Sequence, residues 1–261
     1  MRYALALEYD GAPFCGFQTQ PARCSIQDAL ENALAAIAGE RVRVQPAGRT
    51  DAGVHATSQI VHFDADAERP LTAWVRGVNS RLPAAIAVLW CAPVPAEFHA
   101  RFSARARHYT YRLLNRGERP GIEHGRVGWY PLPLAVGAMR DAAARLEGTR
   151  DFSSFRAAEC QARTPVRTLT RATIVEDGAC LCFEFSANGF LQHMVRNMVG
   201  ALVAVGSGKR TPEWIDALVA AADRTQGAAT FDAAGLYFTG ADYAAAFALP
   251  PTRRAVAPSR A

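Results

Sequence analysis

The polar run from Ala47 to Ala56 holds residue types that could do chemistry. It lies between two apolar stretches, and Gly48 and Gly53 let the backbone turn sharply or approach a ligand. Asp51 stands among small residues, and an aspartate with the ordinary pKa of about 3.9 is ionised at neutral pH. Such a carboxylate can attack a sugar carbon or an electrophilic base carbon. Arg49 lies two residues away, where pairing would hold the carboxylate ready; a solvated ion pair in a hairpin loop is the alternative.

A second run, residues 98–112, alternates positive charge with flat rings. Arginines that hold phosphates and rings that stack on bases are typical of contacts with single-stranded or flipped nucleotides. An amphipathic strand, with its rings in the core and its arginines in water, explains the same pattern. The run contains Phe98, His99, Arg101, Phe102, Arg105, Arg107, His108, Tyr109, Tyr111 and Arg112.

Two weaker candidates lie further along the chain. Arginines at Arg156, Arg163, Arg167 and Arg171 surround Cys160–Gln161 and either follow a phosphate backbone or form a solvated loop. An apolar-rich helix predicted over 191–205 carries His193, Arg196 and Asn197, which could face a cleft.

Several cofactor chemistries lack their motifs. The run Gly206–Lys209 is followed by Arg210 and lacks the earlier glycine of a P-loop. No GxSxG elbow is present, and no GxGxxG follows a predicted strand. His55, His62 and the scattered cysteines do not have zinc-site spacing. We therefore expect a reaction that needs neither a metal nor a nucleotide cofactor.

Composition limits the class of protein without identifying it. The net charge is +5 and the pI about 9.1, and Lys209 is the only lysine. Arginine suits phosphate, but GC-rich codon usage produces the same excess, so position must decide. The six cysteines form no CxxC pair and are expected to be reduced. No apolar run reaches about 18 residues and no signal-peptide pattern follows Met1, so we expect a cytoplasmic protein with no membrane contact.

The predicted elements mix strands and helices. A helix capped by Ser25 and ended by Gly39 follows a strand over 2–9, further strands are predicted over 42–47, 59–63 and 86–91, and a short helix over 73–78. The helices are too few for a doubly wound sheet, so the pattern favours an α+β fold: two similar domains with mixed or antiparallel sheets and helices on one face.

The second half repeats this style. Predicted there are helices over 136–146 and from Thr211–Pro212, a hairpin of 169–175 and 180–185 closed at Asp177–Gly178, and a last strand over 235–239. Pro120 to Pro133 is rich in glycine and proline and reads as a domain joint. We expect an N-terminal domain over 1–120, a C-terminal domain over 121–249 and a disordered tail over 250–261.

The motifs together resemble one family. The run Gly48–His55 resembles the signature of the tRNA pseudouridine synthase A family, and the likeness continues in family order from about residue 5 to residue 240. Departures are small: Phe17 replaces a usual tryptophan, Ala47 a common cysteine and Gly189 a usual alanine, and Phe231–Asp232 is unusual. The other matching blocks are Glu8–Gly11, Phe98–Ala104, Tyr109–Arg112, Asp151–Arg156 with Cys160–Gln161, His193–Gly200 and Gly235–Tyr237.

The resemblance implies an activity, a partner and roles. It implies an isomerase of the pseudouridine synthase fold that works as a homodimer without cofactor, modifies RNA in tRNA processing, and converts uridines 38, 39 and 40 of the anticodon stem-loop. By resemblance, Asp51 is the nucleophile, Arg49 positions it and displaces the base, and Tyr109 stacks on the uracil. The implied substrate contacts are Tyr109, Arg101, Phe98, His99, Phe102, Glu159, Cys160, Gln161 and Arg163.

Two rival functions stay open at this point. One is a pseudouridine synthase that acts on another RNA or other positions. The other is an RNA-binding module without catalysis, against which Asp51 argues because a carboxylate repels RNA and is tolerated there only for chemistry. The sequence also leaves open whether Asp51 attacks the sugar C1′ or the base C6.

Overall fold

The structure, a computed structural model, describes residues 1–256 of the 261. These residues form ten strands and four α-helices. They divide into two compact units: unit 1 comprises Met1–Arg107 with Tyr237–Val256, and unit 2 comprises His108–Leu236. The mixture of strands and helices confirms the predicted α+β class.

Unit 1 is built on an antiparallel sheet that a late strand joins in parallel. The order is β4-β1-β3-β10, and β2 pairs with β3. Strand β10 runs parallel to β3, with Tyr237 opposite His55 and Phe238 opposite Ala56. The strands are β1 (Arg2–Tyr9), β2 (Gln45–Pro46), β3 (His55–Asp64), β4 (Ile86–Pro93) and β10 (Leu236–Asp242).

One long helix of unit 1, α1 (Ile26–Ala38), begins and ends as the sequence predicts. Ser25 accepts the backbone N–H of Asp28 in a capping box, and Gly39 ends the helix in the left-handed conformation at φ 78°. Leu30 and Leu34 on its inner face are fully buried. The helix thereby covers apolar surface and fixes the segment that enters it, residues 15–25.

Unit 2 has strand order β5-β9-β8-β7, with β6 parallel to β5. Strands β8 and β9 form the predicted hairpin, and Gly178 at its turn has φ 59°. The helices are α2 (Val136–Ala144), α3 (Met194–Gly206) and α4 (Trp214–Ala221). The strands are β5 (Ala106–Asn115), β6 (Gly128–Tyr130), β7 (Gly148–Asp151), β8 (Val166–Asp177) and β9 (Cys180–Ala187).

Several boundaries differ from the prediction. The predicted strand over 42–47 is paired only at Gln45–Pro46, and the predicted helix over 73–78 is one π-helical turn over Ala73–Gly77. The predicted joint at 120–133 contains β6 and belongs to unit 2, while the division between the units falls after Arg107. Strand β10, from near the C-terminal end of the described residues, pairs with β3 and so belongs to the sheet of unit 1. Local sequence patterns do not encode such a long-range pairing.

The start of the predicted disordered tail lies on unit 1. The indole N–H of Trp90 donates to Pro251 O at 3.1 Å, Ser58 Oγ donates to Thr252 O at 3.0 Å, and Arg254 donates to Glu8 Oε2 at 2.6 Å. These side-chain bonds hold residues 251–254 along the sheet of unit 1. The rest of the tail, 257–261, lies outside the described residues.

Candidate active site

The loop that carries Asp51 runs from Gly48 to Gly53 between β2 and β3. Gly53 adopts φ 78°, a left-handed conformation that favours glycine, and the Val54 N–H donates to Asp51 O at 3.2 Å. The carboxylate of Asp51 is half-buried at this turn. The loop therefore presents a carboxylate from a tight turn, as predicted from the two glycines.

Both sides of Asp51 are anchored to the core of unit 1. The Phe17 N–H donates to Thr50 O at 2.9 Å, and the Thr50 hydroxyl lies 2.8 Å from the hydroxyl of Tyr9. The amide of Gln59 donates to Gly48 O at 2.7 Å. Burial raises the pKa of Tyr9 to about 12, so its hydroxyl keeps its proton at neutral pH. Backbone positions on each side of the nucleophile candidate are thus fixed before any substrate binds.

Close backbone packing supports the loop from residues 15–17. A Cβ on Gly16, which has φ 100°, would lie 3.0 Å from Thr50 O, so only glycine fits there without strain. Cys15, the first residue of this segment, forms a disulfide with Cys24 at a Cα–Cα distance of 5.6 Å. The prediction that all cysteines are reduced is therefore wrong for this pair. Spacing without a CxxC motif did not reveal that the turn before α1 brings them together.

His55 fixes the other end of the loop. Its Nδ1 accepts the Gly11 N–H at 3.1 Å and lies 3.1 Å from Asp10 Oδ1, and its ring stacks on Tyr237 at 4.7 Å. Gly11 packs so tightly that a Cβ there would lie 2.0 Å from Val54 O. From the sequence, His55 had no role beyond a failed zinc spacing, whereas its hydrogen bond and ring stacking show a structural role.

Arg49 does not form the expected ion pair with Asp51 within residues 1–256. Its side chain is exposed, and partial burial followed by the charge of Arg101 lowers its pKa. These two guanidinium groups repel each other, and neither pairs with a carboxylate of the described residues, so they make a strongly positive patch. Such a patch is stabilised when an anion binds.

Arg101 and Phe102 form an exposed platform. The Arg101 guanidinium lies 5.6 Å from the centroid of the Phe102 ring, and Phe102 is 75% exposed. His99 Nδ1 accepts the backbone N–H groups of Arg101 at 3.1 Å and of Phe102 at 3.3 Å. The ring of His99 lies 4.4 Å from that of His62. The two histidines thus hold the backbone of an aromatic and cationic surface that faces solvent.

Other members of run 98–112 have internal roles. Phe98 is fully buried and packs edge-on against Phe247 at 5.1 Å, so its position is that of a core ring rather than a contact surface. Arg107 donates to the backbone of Ala104 at 3.0 Å and of Ala47 at 3.3 Å, which ties residues 101–107 to the start of the Asp51 loop. The two interpretations of this run, nucleotide contact and amphipathic core, therefore apply to different residues of it.

In unit 2, Tyr109 lies on β5 with 9% of its surface exposed. Its ring meets Phe190 edge to face, with centroids 4.9 Å apart. Its neighbour His108 lies within 2.8 Å of the Ser186 hydroxyl, and Tyr111 donates to Asp232 O at 2.9 Å. The contact with Phe190 limits how the Tyr109 ring can turn, and the bonds of His108 and Tyr111 hold this part of β5 in place.

The loop over 159–163 is shaped by Arg156. Its guanidinium donates to Cys160 O and, at 3.2 Å, to Ala162 O, so it points inward. Glu159, Gln161 and Arg163 are exposed. Cys160 is 8% exposed, and its pKa is lowered overall. Burial raises this pKa, but the backbone N–H groups of Ala162 and Gln192 and the charge of Arg156 lower it by more.

The arginines of this region fall into two groups. Arg167 donates to Thr164 O at 2.8 Å, and Arg171 pairs with Glu184 at 2.6 Å. Arg163 has no ion pair or hydrogen bond to a side chain within residues 1–256. Of the predicted cluster, Arg163 alone presents an uncommitted guanidinium in the described structure.

Helix α3 carries Arg196 and Asn197, two of the residues that the sequence suggested could face a cleft. Asn197 is 2% exposed, donates to Phe155 O at 2.8 Å and accepts the Thr230 hydroxyl at 2.7 Å. Arg196 donates through Nε to Phe231 O at 2.8 Å. Both residues hold the segment before β10 against α3, and their placement beside apolar methionines was the available signal.

Two negative findings concern residues 1–256. No group of three or more histidine, cysteine, aspartate or glutamate side chains is arranged to hold a metal ion there. In the same residues every helix is too short or too polar to cross a bilayer.

Comparison with known proteins identifies the family. The family model for tRNA pseudouridine synthase matches residues 5–103 and 142–244, so both units take part in the match. A tRNA pseudouridine synthase A of Thiobacillus denitrificans is 59% identical over 250 residues, covering 96% of this chain and 96% of that protein. Those of Dechloromonas aromatica and Methylobacillus flagellatus are 55% and 52% identical, covering 96% and 97% of this chain and 95% and 97% of their own lengths. The chain therefore belongs to the tRNA pseudouridine synthase family and is an isomerase of that family.

Proposed function

We propose that this chain converts uridine to pseudouridine at positions 38, 39 and 40 in the anticodon stem-loop of tRNA. Relatives that are 50–59% identical over nearly their whole length bear the name tRNA pseudouridine synthase A, which supports tRNA as the substrate. The observation that carries the proposal is the Asp51 loop: a half-buried aspartate on an anchored turn, two residues from Arg49, which forms no ion pair within residues 1–256.

The reaction is an isomerisation that balances without a cofactor. The bond from N1 to C1′ breaks, the uracil turns, and a bond from C5 to C1′ forms. The C5 hydrogen leaves as a proton and N1 gains one, so no electrons and no group are lost. Asp51 holds the fragment that would otherwise dissociate, either the sugar through C1′ or the base through C6. The carboxylate leaves again when the new bond is complete.

The target uridine must leave its stack before Asp51 can reach it. Flipping a base costs a few kcal/mol, which an enzyme offsets with new contacts. Arg49 enters the space that the base leaves, and Tyr109 offers a stacking face, worth roughly 1–3 kcal/mol per base. The Tyr109 hydroxyl takes part in moving the C5 proton. Each role rests on the residue's position in its own unit: Arg49 on the exposed loop and Tyr109 fixed by Phe190.

The remaining contacts follow exposure. Arg101, Phe102 and His99 form the exposed platform of unit 1, and Glu159, Gln161 and Arg163 the exposed loop of unit 2. A net charge of +5 is small for a tRNA ligand, so we propose that two copies work as a homodimer in the cytoplasm.

The test is a map of pseudouridine in cellular tRNA. Cells that lack the protein, cells that carry it and cells that carry Asp51→Asn are compared by carbodiimide-dependent primer extension. We expect pseudouridine 38–40 only in cells with the unaltered protein. Modification at other tRNA positions would remove the positional assignment and keep the activity. Unchanged tRNA in all three strains would refute the proposed function.

A further inference from the structure

A cavity of about 540 Å³ lies wholly within unit 2 and has no part in the proposed chemistry. Its wall is formed by the last turns of α3, the first turn of α4, Tyr130 of β6 and residues 226–231. The volume falls in the range of about 300–1,000 Å³ that small-molecule sites occupy. It is therefore large enough for one nucleotide.

The cavity is built into the fold rather than left between mobile side chains. A Cβ on Gly200 of α3 would lie 2.2 Å from Ala229 O, so the segment over 226–231 lies directly on the helix. The Phe231 N–H donates to Arg196 O at 3.3 Å and fixes the end of that segment. Close backbone packing of this kind holds one wall at a constant distance from the helix.

The lining combines flat rings with positive charge. Tyr130, Trp214 and Phe231 are each partly exposed, and the Arg210 guanidinium lies 5.1 Å from the centroid of the Trp214 ring. The backbone N–H groups of Lys209 and Arg210 both donate to Ala204 O, at 3.1 and 3.2 Å. The two cations are thus held at the rim by the end of α3.

Neither Lys209 nor Arg210 forms an ion pair within the described part of the chain, and both are exposed. Among the residues that the structure describes, no aspartate or glutamate lines the cavity. A ligand that fits this cavity therefore has a flat aromatic group that stacks on the lining rings and an anionic group that binds Lys209 and Arg210. A second copy of the chain would need an acidic and aromatic segment here, whereas an unpaired nucleotide carries both groups by its nature.

We propose that this cavity binds one unpaired nucleotide of the tRNA substrate, with its base among Tyr130, Trp214 and Phe231 and its phosphate at Lys209 and Arg210. The site is a second contact that holds the RNA and does not react with it. The inference rests on the proposed function, because it takes tRNA as the substrate.

The first test replaces the ring and the charge in turn. Trp214→Leu removes the stacking surface and is matched by Trp129→Leu, whose indole N–H donates to Arg116 O outside the cavity. Lys209→Ala removes a rim cation and is matched by Arg140→Ala, which pairs with Glu176. tRNA affinity is measured by filter binding at several salt concentrations, and kcat and KM by pseudouridine formation.

We expect Trp214→Leu to weaken tRNA binding by about 5- to 150-fold, the range of base–aromatic stacking. KM should rise and kcat at saturating tRNA should stay within two-fold. Lys209→Ala should reduce the slope of log affinity against log salt by about one, as one phosphate contact is lost. The two matched controls should leave affinity and slope unchanged. If Trp214→Leu unfolds helix α4, Lys209→Ala still tests the proposal, because Lys209 is exposed and its replacement should leave the fold intact.

A second measurement locates the RNA. tRNA that contains 4-thiouridine is cross-linked by light, and the protein is mapped by mass spectrometry. We expect cross-links in 209–214 and 226–231 that Trp214→Leu loses. Unchanged affinity and slope in both variants, with no cross-link there, would overturn the cavity site while wild-type turnover keeps the proposed function. A changed subunit number in light scattering of Trp214→Leu would overturn it in favour of a second copy. Cross-links at the cavity without pseudouridine formation by wild type would instead sink the proposed function alone.

Discussion

The Asp51 loop of unit 1 and the arginine cluster of unit 2 are both candidates for RNA contact in the sequence, yet the structure uses their arginines differently. Beside the loop, Arg49 and Arg101 form no ion pair with any residue that the structure describes, and they repel each other. In the cluster, Arg156 and Arg167 bind backbone carbonyls, and Arg171 binds a carboxylate. Positive charge that is already hydrogen-bonded holds a loop in shape, whereas positive charge without a partner is available to phosphate.

This difference separates two uses of arginine that composition merges. A guanidinium has five N–H donors in a planar fork, so it can hold two carbonyls as firmly as it holds a phosphate. The total of 29 lysines and arginines therefore overstates the positive charge that is available to RNA, because several arginines are already bound to groups within the chain. The groups that each arginine binds within the chain, rather than the number of arginines, therefore indicate which surface is available to RNA.

Asp51→Asn should cause the largest effect, because it tests whether the Asp51 loop carries the chemistry that the arginine cluster does not. The amide keeps the size of the side chain and loses the nucleophile, so we expect turnover to fall by at least about 10⁴-fold. tRNA affinity should stay within a few-fold, since Asp51 does not hold phosphate. The measurement is single-turnover pseudouridine formation, with exposed Asp66→Asn as the matched control. Substantial turnover in a folded Asp51→Asn protein would remove Asp51 from the nucleophile role.

Tyr109→Phe asks whether unit 2 contributes chemistry or only shape. The ring and its contact with Phe190 persist, so stacking and tRNA affinity should persist too. Loss of the hydroxyl should lower turnover by about 10²-fold, the scale of general acid–base catalysis. Tyr109→Leu should also weaken binding, because it lacks the ring. Normal turnover of the Phe variant, measured in the same assay, would leave Tyr109 as a stacking surface alone.

Acid should weaken unit 1 through His62, which supports the Arg101 platform. Burial, followed by the charges of His99 and Arg2 and opposed by Asp64, lowers the pKa of His62 to about 4. An unfolded histidine titrates near 6.5, so the unfolded chain binds more protons between pH 6.5 and pH 4. The free energy of unfolding should therefore fall by at most about 3 kcal/mol as the pH drops through that window.

Urea unfolding at several pH values measures this slope. His62→Asn removes the titrating group and should flatten the profile between pH 6.5 and pH 4. Identical slopes for the wild type and the variant would show that the acid sensitivity arises elsewhere.

Local features of the fold were predictable because local residues determine them. Helix α1 begins after Ser25 and ends before Gly39, as expected. Gly178 lies at the turn of the β8–β9 hairpin, and Gly53 lies at the turn of the Asp51 loop. Each is set by side chains and backbone within a few positions in the chain. The sequence also named Asp51 and Arg49 as candidates, from their residue types in one short loop and from the family resemblance, and their roles stay predictions.

Long-range features were not predictable from the same patterns. The return of β10 to pair with β3 and the Cys15–Cys24 bond depend on how distant or turning segments meet. The expected Arg49–Asp51 pair is absent from residues 1–256, since neighbouring positions do not fix side-chain direction in a tight turn. Likewise, nothing in the sequence around Arg156 and Arg163 indicates which of the two side chains points inward.

Arg156→Ala should sharpen the comparison by lowering stability without weakening RNA binding. Its guanidinium satisfies the carbonyls of Cys160 and Ala162, and leaving them unpaired costs about 1–3 kcal/mol. Chemical unfolding measures that loss, and the slope of log tRNA affinity against log salt should not change. Arg163→Ala, three residues beyond Cys160, should do the reverse, with stability within about 0.5 kcal/mol of wild type and a shallower slope. Equal behaviour of the two variants would dissolve the distinction between them.

Arg101→Ala should give the smallest effect, and it tests the exposed side of the comparison directly. Arg101 has no ion pair within the described residues and stacks on the exposed ring of Phe102. We expect the salt slope to fall by about one, as one phosphate contact is lost, and the free energy of unfolding to stay within about 0.5 kcal/mol. Arg43→Ala, whose guanidinium pairs with Glu31, should leave the slope unchanged and serves as the charge-matched control. Light scattering of the same samples should show a dimer. An unchanged slope for Arg101→Ala would place this guanidinium away from phosphate, and full activity of a monomer would refute a cleft shared by two copies.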